Sequence, residues 1–125
     1  MKQEKISTVI LSIGSNYRAE NNIKYALSCL NSVLNNIKCS RLIRTKPIGI
    51  VSGMFMNQLV CGTCDISRNK LHDIIKKIEY DCGRNDEEKK SGRVRMDIDV
   101  LEFNGEREHE QDWEREYVQL LIKEL

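Results

Sequence analysis

Asp97 and Asp99 stand one residue apart in the run Met96-Asp97-Ile98-Asp99-Val100, where apolar and acidic side chains alternate. A strand repeats its side-chain direction every second residue, so both carboxylates leave one face with their Cα atoms about 7 Å apart. Hard oxygen donors in that arrangement suit Mg²⁺, which takes one or two protein carboxylates and fills its other positions with water and substrate phosphates. Two such ions can clamp a phosphoryl group in transit. An isolated pair of this kind also occurs on ordinary solvated strands, so the meaning of Asp97 and Asp99 depends on what the rest of the chain places beside them.

The surrounding pattern supplies a strand for the pair and a sheet for the strand. Residues 94–103 alternate, with Met96, Ile98 and Val100 on one side and Asp97, Asp99 and Leu101 on the other. Residues 8–13 form a β-rich apolar run that stops at the turn cluster Gly14-Ser15-Asn16. Ile23, Leu27, Leu30, Leu34 and Ile37 recur at helical spacing, which predicts an amphipathic helix over residues 20–37. A second strand is expected over 39–45, then a loop from Lys46 to about Gly53 around Pro47, the only proline. A third strand follows over 55–65. Ser67 is placed to cap a helix carrying Leu71, Ile74, Ile75 and Ile78 on one face, and Gly83 to end it. Residues 85–91 hold no apolar side chain and read as a solvated loop. The order βαββαβ implies an α+β, ferredoxin-like antiparallel sheet, with helices on one face and the other left for a ligand. The last residues, 113–125, resume an apolar pattern suited to a strand or short helix.

Composition narrows the function. The 125 residues carry 20 Lys and Arg against 19 Asp and Glu, a formal charge of +1, so no bulk field directs the chain to nucleic acid. An RNA-binding module on the same fold is further opposed by the lack of an aromatic-rich strand motif. No apolar run approaches the roughly 20 residues of a spanning helix, and no signal-peptide core follows Met1, which together predict a cytoplasmic protein of one domain over residues 1–125. The five cysteines, an odd number without disulfide-framework spacing, are expected to be free and mostly buried. Cys61 and Cys64 fall at the end of a strand, without the helix start of a redox motif.

Six ordered segments carry a resemblance: Ile13-Gly14-Ser15-Asn16, Arg44-Thr45-Lys46-Pro47-Ile48-Gly49, Phe55-Met56-Asn57, Ile78-Glu79, Gly83-Arg84 and Met96-Asp97-Ile98-Asp99. Together they are similar to hydroxymethyldihydropterin pyrophosphokinases over nearly the whole chain. The resemblance implies transfer of diphosphate from ATP to 6-hydroxymethyl-7,8-dihydropterin, with release of AMP, in folate biosynthesis. It makes Asp97 and Asp99 ligands of two Mg²⁺ ions, and it puts Arg84, with Arg93 or Arg95, on the phosphates. Glu79, Arg84, His109 and Arg115 match ATP-side positions. Phe55 and Tyr117 match aromatics that sandwich the pterin, Asn57 an amide that reads its edge, and Thr45, Pro47 and Ile48 the pocket wall. The implied partners are these two small molecules, without nucleic acid or membrane, in a monomer or weak homodimer. Val94 stands where the family usually carries an arginine, and this departure raises one alternative, a catalytically impaired relative that binds pterin or nucleotide without transfer.

Overall fold

The computed structural model describes residues 6–46 and 54–125. Its strands are β1 (Ser7–Ser15), β2 (Asn35–Cys39), β3 (Ile43–Thr45), β4 (Phe55–Cys64), β5 (Asp97–Phe103) and β6 (Glu106–Arg107). Its helices are α1 (Ala19–Leu30), α2 (Arg68–Asp81), α3 (Asp86–Lys90) and α4 (Glu116–Leu121), with a 3-10 turn, Glu110–Glu114, before α4. All strand pairs are antiparallel, in the order β2-β4-β1-β5-β6, and β3 also pairs with β4.

The apolar alternation of β1 drives this arrangement. Val9, Leu11 and Ile13 are buried on one face beneath Ile23, Ala26 and Leu30 of α1 and Leu71, Ile75 and Ile78 of α2, so both long helices cover the same side of the sheet. Burial of the valine, leucine and isoleucine side chains among them contributes about 1.5–3 kcal/mol each. Ser67 caps α2 as expected, its side chain accepting from the Lys70 amide, and Gly83, at φ +91°, takes the left-handed turn that follows.

Several expectations are corrected. The helix predicted over 20–37 ends at Leu30, where the Asn31 amide still bonds Leu27 O. Leu34 enters the core from the following turn and Ile37 from β2. These two continue the helical spacing without the helical backbone. The strand expected over 39–45 is two short strands, both on the outer edge of β4. Residues 85–91 contain the helix α3, capped by the Asn85 side chain accepting from the Glu88 amide, with acids in its first turn and lysines in its last. Of the cysteines, all five of which are free, only Cys64 is buried. The tail is helical, and Val118 and Leu121 of α4 pack on Leu59 and Leu101 as a second core. Part of the sheet face expected to be open is therefore covered by the tail, and the ligand cavity occupies the remainder. Among the described residues no helix is long and apolar enough to cross a membrane.

Candidate active site

Register builds the site. In one row across three strands lie Asn57, Gly14 and Asp97, and in the next lie Leu59, Ser12 and Asp99. Both aspartates therefore share a face with the amide of Asn57, as the period of two requires. Glycine at the centre of the first row leaves a hollow between amide and carboxylate. A Cβ there would meet Asn57 Oδ1 at 2.9 Å. Asn57 is itself fixed, since its Nδ2 donates to Thr45 Oγ1 at 2.5 Å.

The hollow opens into a cavity of about 300 Å³. Ser12, Gly14 and Asn57 form its floor, Asp97, Asp99 and Val94 one wall, and Phe55 and Tyr117 contribute aromatic surface. Lys46, Lys89 and Arg115 bring positive charge. Tyr117 reaches the cavity from α4 and is held by a 3.2 Å hydrogen bond between its hydroxyl and Ser12 Oγ. The tail that carries it is anchored by Trp113, whose Nε1 donates to Leu101 O at 3.0 Å.

The two carboxylates differ in environment. Asp97 Oδ1 accepts from Arg84 Nη1 at 3.1 Å, and the same nitrogen donates to Glu79 Oε2 at 2.6 Å. Glu79 is only 2% exposed, and its Oε2 also accepts from the Ile98 amide at 2.9 Å, so a buried acid ties α2, Arg84 and β5 together. Among the described residues its Oε1 has no hydrogen bond, although Lys76 Nζ lies 3.4 Å away. Among the described residues no arginine pairs with Asp99 in this way. Burial, then the charge of Asp97, push its carboxyl up to about 6, with His109 acting in the opposite direction.

The backbone before Asp97 is held by the turn cluster. Asn16 Oδ1 accepts from the Val94 amide at 2.7 Å, its Nδ2 donates to Gly92 O at 2.7 Å, and its own amide donates to Val94 O at 2.9 Å. Ser15 Oγ donates to Arg95 O at 2.6 Å. The cluster therefore braces the strand that carries the carboxylates, and β1 runs through Ser15 rather than stopping before Gly14.

The expected site residues fall in different places. Phe55, Asn57, Asp97, Asp99, Arg115 and Tyr117 line the cavity. Thr45, Glu79 and Arg84 lie behind it, holding residues that do. Arg93 and Arg95 flank Val94 but lie over the Tyr17 ring, 4.4 and 4.5 Å from its centre, with Arg95 bound through two nitrogens to Glu88 at 2.7 and 2.8 Å. His109 is exposed, near enough to Asp99 to act on its carboxyl but outside the lining. Pro47 and Ile48 lie outside the described residues. Ser12, Lys46 and Lys89 were not singled out as site residues from the sequence. Ser12 was legible as the position two before Gly14 on one strand face, whereas nothing in the charged run 85–91 marks which lysine turns inward.

Two carboxylates fit a magnesium ion that completes its coordination with ligand oxygens. Among the described residues no group of three or more His, Cys, Asp and Glu could hold a metal. The sequence model of 7,8-dihydro-6-hydroxymethylpterin-pyrophosphokinase (HPPK) matches residues 10–125. The folate synthesis bifunctional protein of Arabidopsis thaliana is 29% identical over 122 residues, which cover 88% of this chain and 25% of that protein. Among solved structures, a triple mutant of Plasmodium falciparum HPPK-DHPS aligns with a TM-score of 0.62 at 16% identity, covering 83% of this chain and 29% of that one. The wild-type protein aligns at 0.62 and 15% identity, covering 83% and 31%. Identities this low establish the shared fold, and the chain spans about a quarter to a third of the length of these relatives.

Proposed function

Because the chain belongs to the 7,8-dihydro-6-hydroxymethylpterin-pyrophosphokinase family, we propose that it transfers the terminal diphosphate of ATP to 6-hydroxymethyl-7,8-dihydropterin. The hydroxymethyl oxygen forms a bond to the β-phosphorus, the bond from that phosphorus to the α,β-bridging oxygen breaks, AMP leaves with that oxygen, and the hydroxyl proton is released. One observation carries the reading: the Asn57-Gly14-Asp97 row sets a side-chain amide and a carboxylate on opposite sides of one glycine hollow, with Asp99 on the same face in the next row.

In this reading Phe55 and Tyr117 supply stacking area for the pterin, and Asn57, oriented by Thr45, offers two donors and one acceptor to its edge. Asp97 and Asp99 would hold magnesium, two ions in all, which neutralises charge on the phosphate oxygens. Arg84, set by buried Glu79, keeps Asp97 in place. Arg115 and His109 face the nucleotide from the tail, and Arg93 and Arg95 reach it only by leaving Glu88. Alignment of nucleophile and phosphorus, with fixed charge around them, is most of what such a transfer needs from a protein.

The test is AMP formation from ATP, magnesium and the hydroxymethylpterin, beside an Asp97→Asn, Asp99→Asn double variant. Magnesium-dependent AMP from the wild type and none from the variant is the expected result. Folded wild type that binds pterin yet releases no AMP would replace transfer with binding alone.

A further inference from the structure

We propose that Lys89 is the side chain that contacts the polyphosphate on the carboxylate side of the cavity, and that Glu88 is the positioning residue that holds it there. This rests on the functional reading above and names a residue it did not include. A metal-bound triphosphate still carries negative charge, and cations near Asp97 and Asp99 must meet it. Arg84 is engaged by Glu79 and Asp97, and Arg115, paired with Asp112 at 3.2 Å, comes to the nucleotide from the tail and not from the side of Val94. Arg93 and Arg95 are stacked on Tyr17 and bound to Glu88, and the residue between them that reaches the cavity, Val94, is apolar. Lys46 follows β3, which pairs with the Phe55 end of β4, and so enters from the opposite side. Lys89 remains. It lines the cavity with Val94, Asp97 and Asp99, and among the described residues it has no ion pair.

The placement of Lys89 is built. Helix α3 has five residues and buries none of them, too short to persist in water by its own hydrogen bonds. What fixes it is the side chain of the preceding residue. Both Glu88 carboxylate oxygens accept from the Arg95 guanidinium, and Arg93 lies 3.9 Å away. These charges hold the Glu88 carboxyl below its ordinary range. Behind it the Arg93 amide donates to Glu88 O at 2.9 Å and the Gly92 amide to Lys89 O at 3.1 Å. Two arginines flanking Val94 thus position a lysine in front of it.

The experiment compares the wild-type chain with Lys89→Ala, Lys89→Arg, Glu88→Gln and the Glu88→Gln, Lys89→Ala pair. Calorimetry gives Kd for magnesium α,β-methylene-ATP, and fluorescence gives Kd for the pterin. Lys89→Ala is expected to weaken the nucleotide about tenfold or more, as loss of a charge-assisted contact does, while pterin affinity stays within about twofold and Lys89→Arg restores most of the loss. Glu88→Gln should weaken the nucleotide alone but add nothing in the Lys89→Ala background. Wild-type nucleotide binding that Lys89→Ala leaves within about twofold, or an equal loss for pterin, overturns the assignment while the functional reading stands. Additive effects overturn the role of Glu88. A wild type that binds no nucleotide overturns the functional reading and this assignment with it.

Discussion

Replacing Asp99 by asparagine should make the metal-free protein more stable at neutral pH. Burial and the neighbouring Asp97 raise the Asp99 carboxyl from 3.8 to about 6. The folded protein therefore binds this proton more tightly than the unfolded chain does. Stability from this group is greatest below the unfolded value, declines as pH rises from 3.8 through 6, and is flat above. The shift converts to about 3 kcal/mol at pH 8 and about half of that at pH 5. Asparagine keeps the shape and removes the charge. Urea unfolding with a chelator present, at pH 5 and pH 8, should find Asp99→Asn ahead by about 1–3 kcal/mol at pH 8 and by less at pH 5. In a thermal scan that is roughly 4–10 °C. Magnesium with nucleotide should reverse the order, because only the wild type gains from it. A variant no more stable at pH 8, or a difference equal at both pH values, would refute the electrostatic account of this wall.

Gly14→Ala should displace Asn57 from Thr45 while costing only about 1 kcal/mol of stability; pterin titration should show affinity falling at least about tenfold, and unchanged affinity would mean the hollow is not the heterocycle site. Asn16→Ala removes two side-chain bonds to the backbone of Gly92 and Val94, and should lower unfolding free energy by about 2–3 kcal/mol, visible in the urea midpoint. Glu79→Ala takes the acceptor from the Ile98 amide and the partner from Arg84; about 3–5 kcal/mol is expected, and a loss below about 1 kcal/mol in the same assay would show that Arg84 finds another anion.

The sheet was legible where burial dictates the residue type. Val9, Leu11 and Ile13 alternate because one face of β1 meets two helices, and Asp97 and Asp99 share a face because a strand leaves them no other choice. Periodicity gave no helix end at Leu30, since Leu34 and Ile37 kept the spacing by packing from a turn and an edge strand. The short helix α3 was missed because it buries nothing, and the signal it did carry was local: Asn85 three residues before Glu88, acids first and lysines last. That the aspartates share a face was readable because they sit on a regular strand, whereas Asn57 stood out only through the resemblance. Lys89 was not, since its direction is set by Glu88 gripping an arginine seven residues later, a contact that no spacing rule encodes.

The hydrogen bond between Ser12 and Tyr117 joins residues 105 apart in sequence, and this orders events during synthesis. β1, made before the other strands of this sheet, becomes the middle one, and it must wait for β4 and then β5 to emerge before its flanks are filled. Until α4 leaves the ribosome, Leu59 and Leu101 face water with nothing to pack against. A nascent chain paused before residue 117 thus has its carboxylates but an unfinished pocket and a bare apolar strip, the kind of surface on which chaperones act and aggregates start.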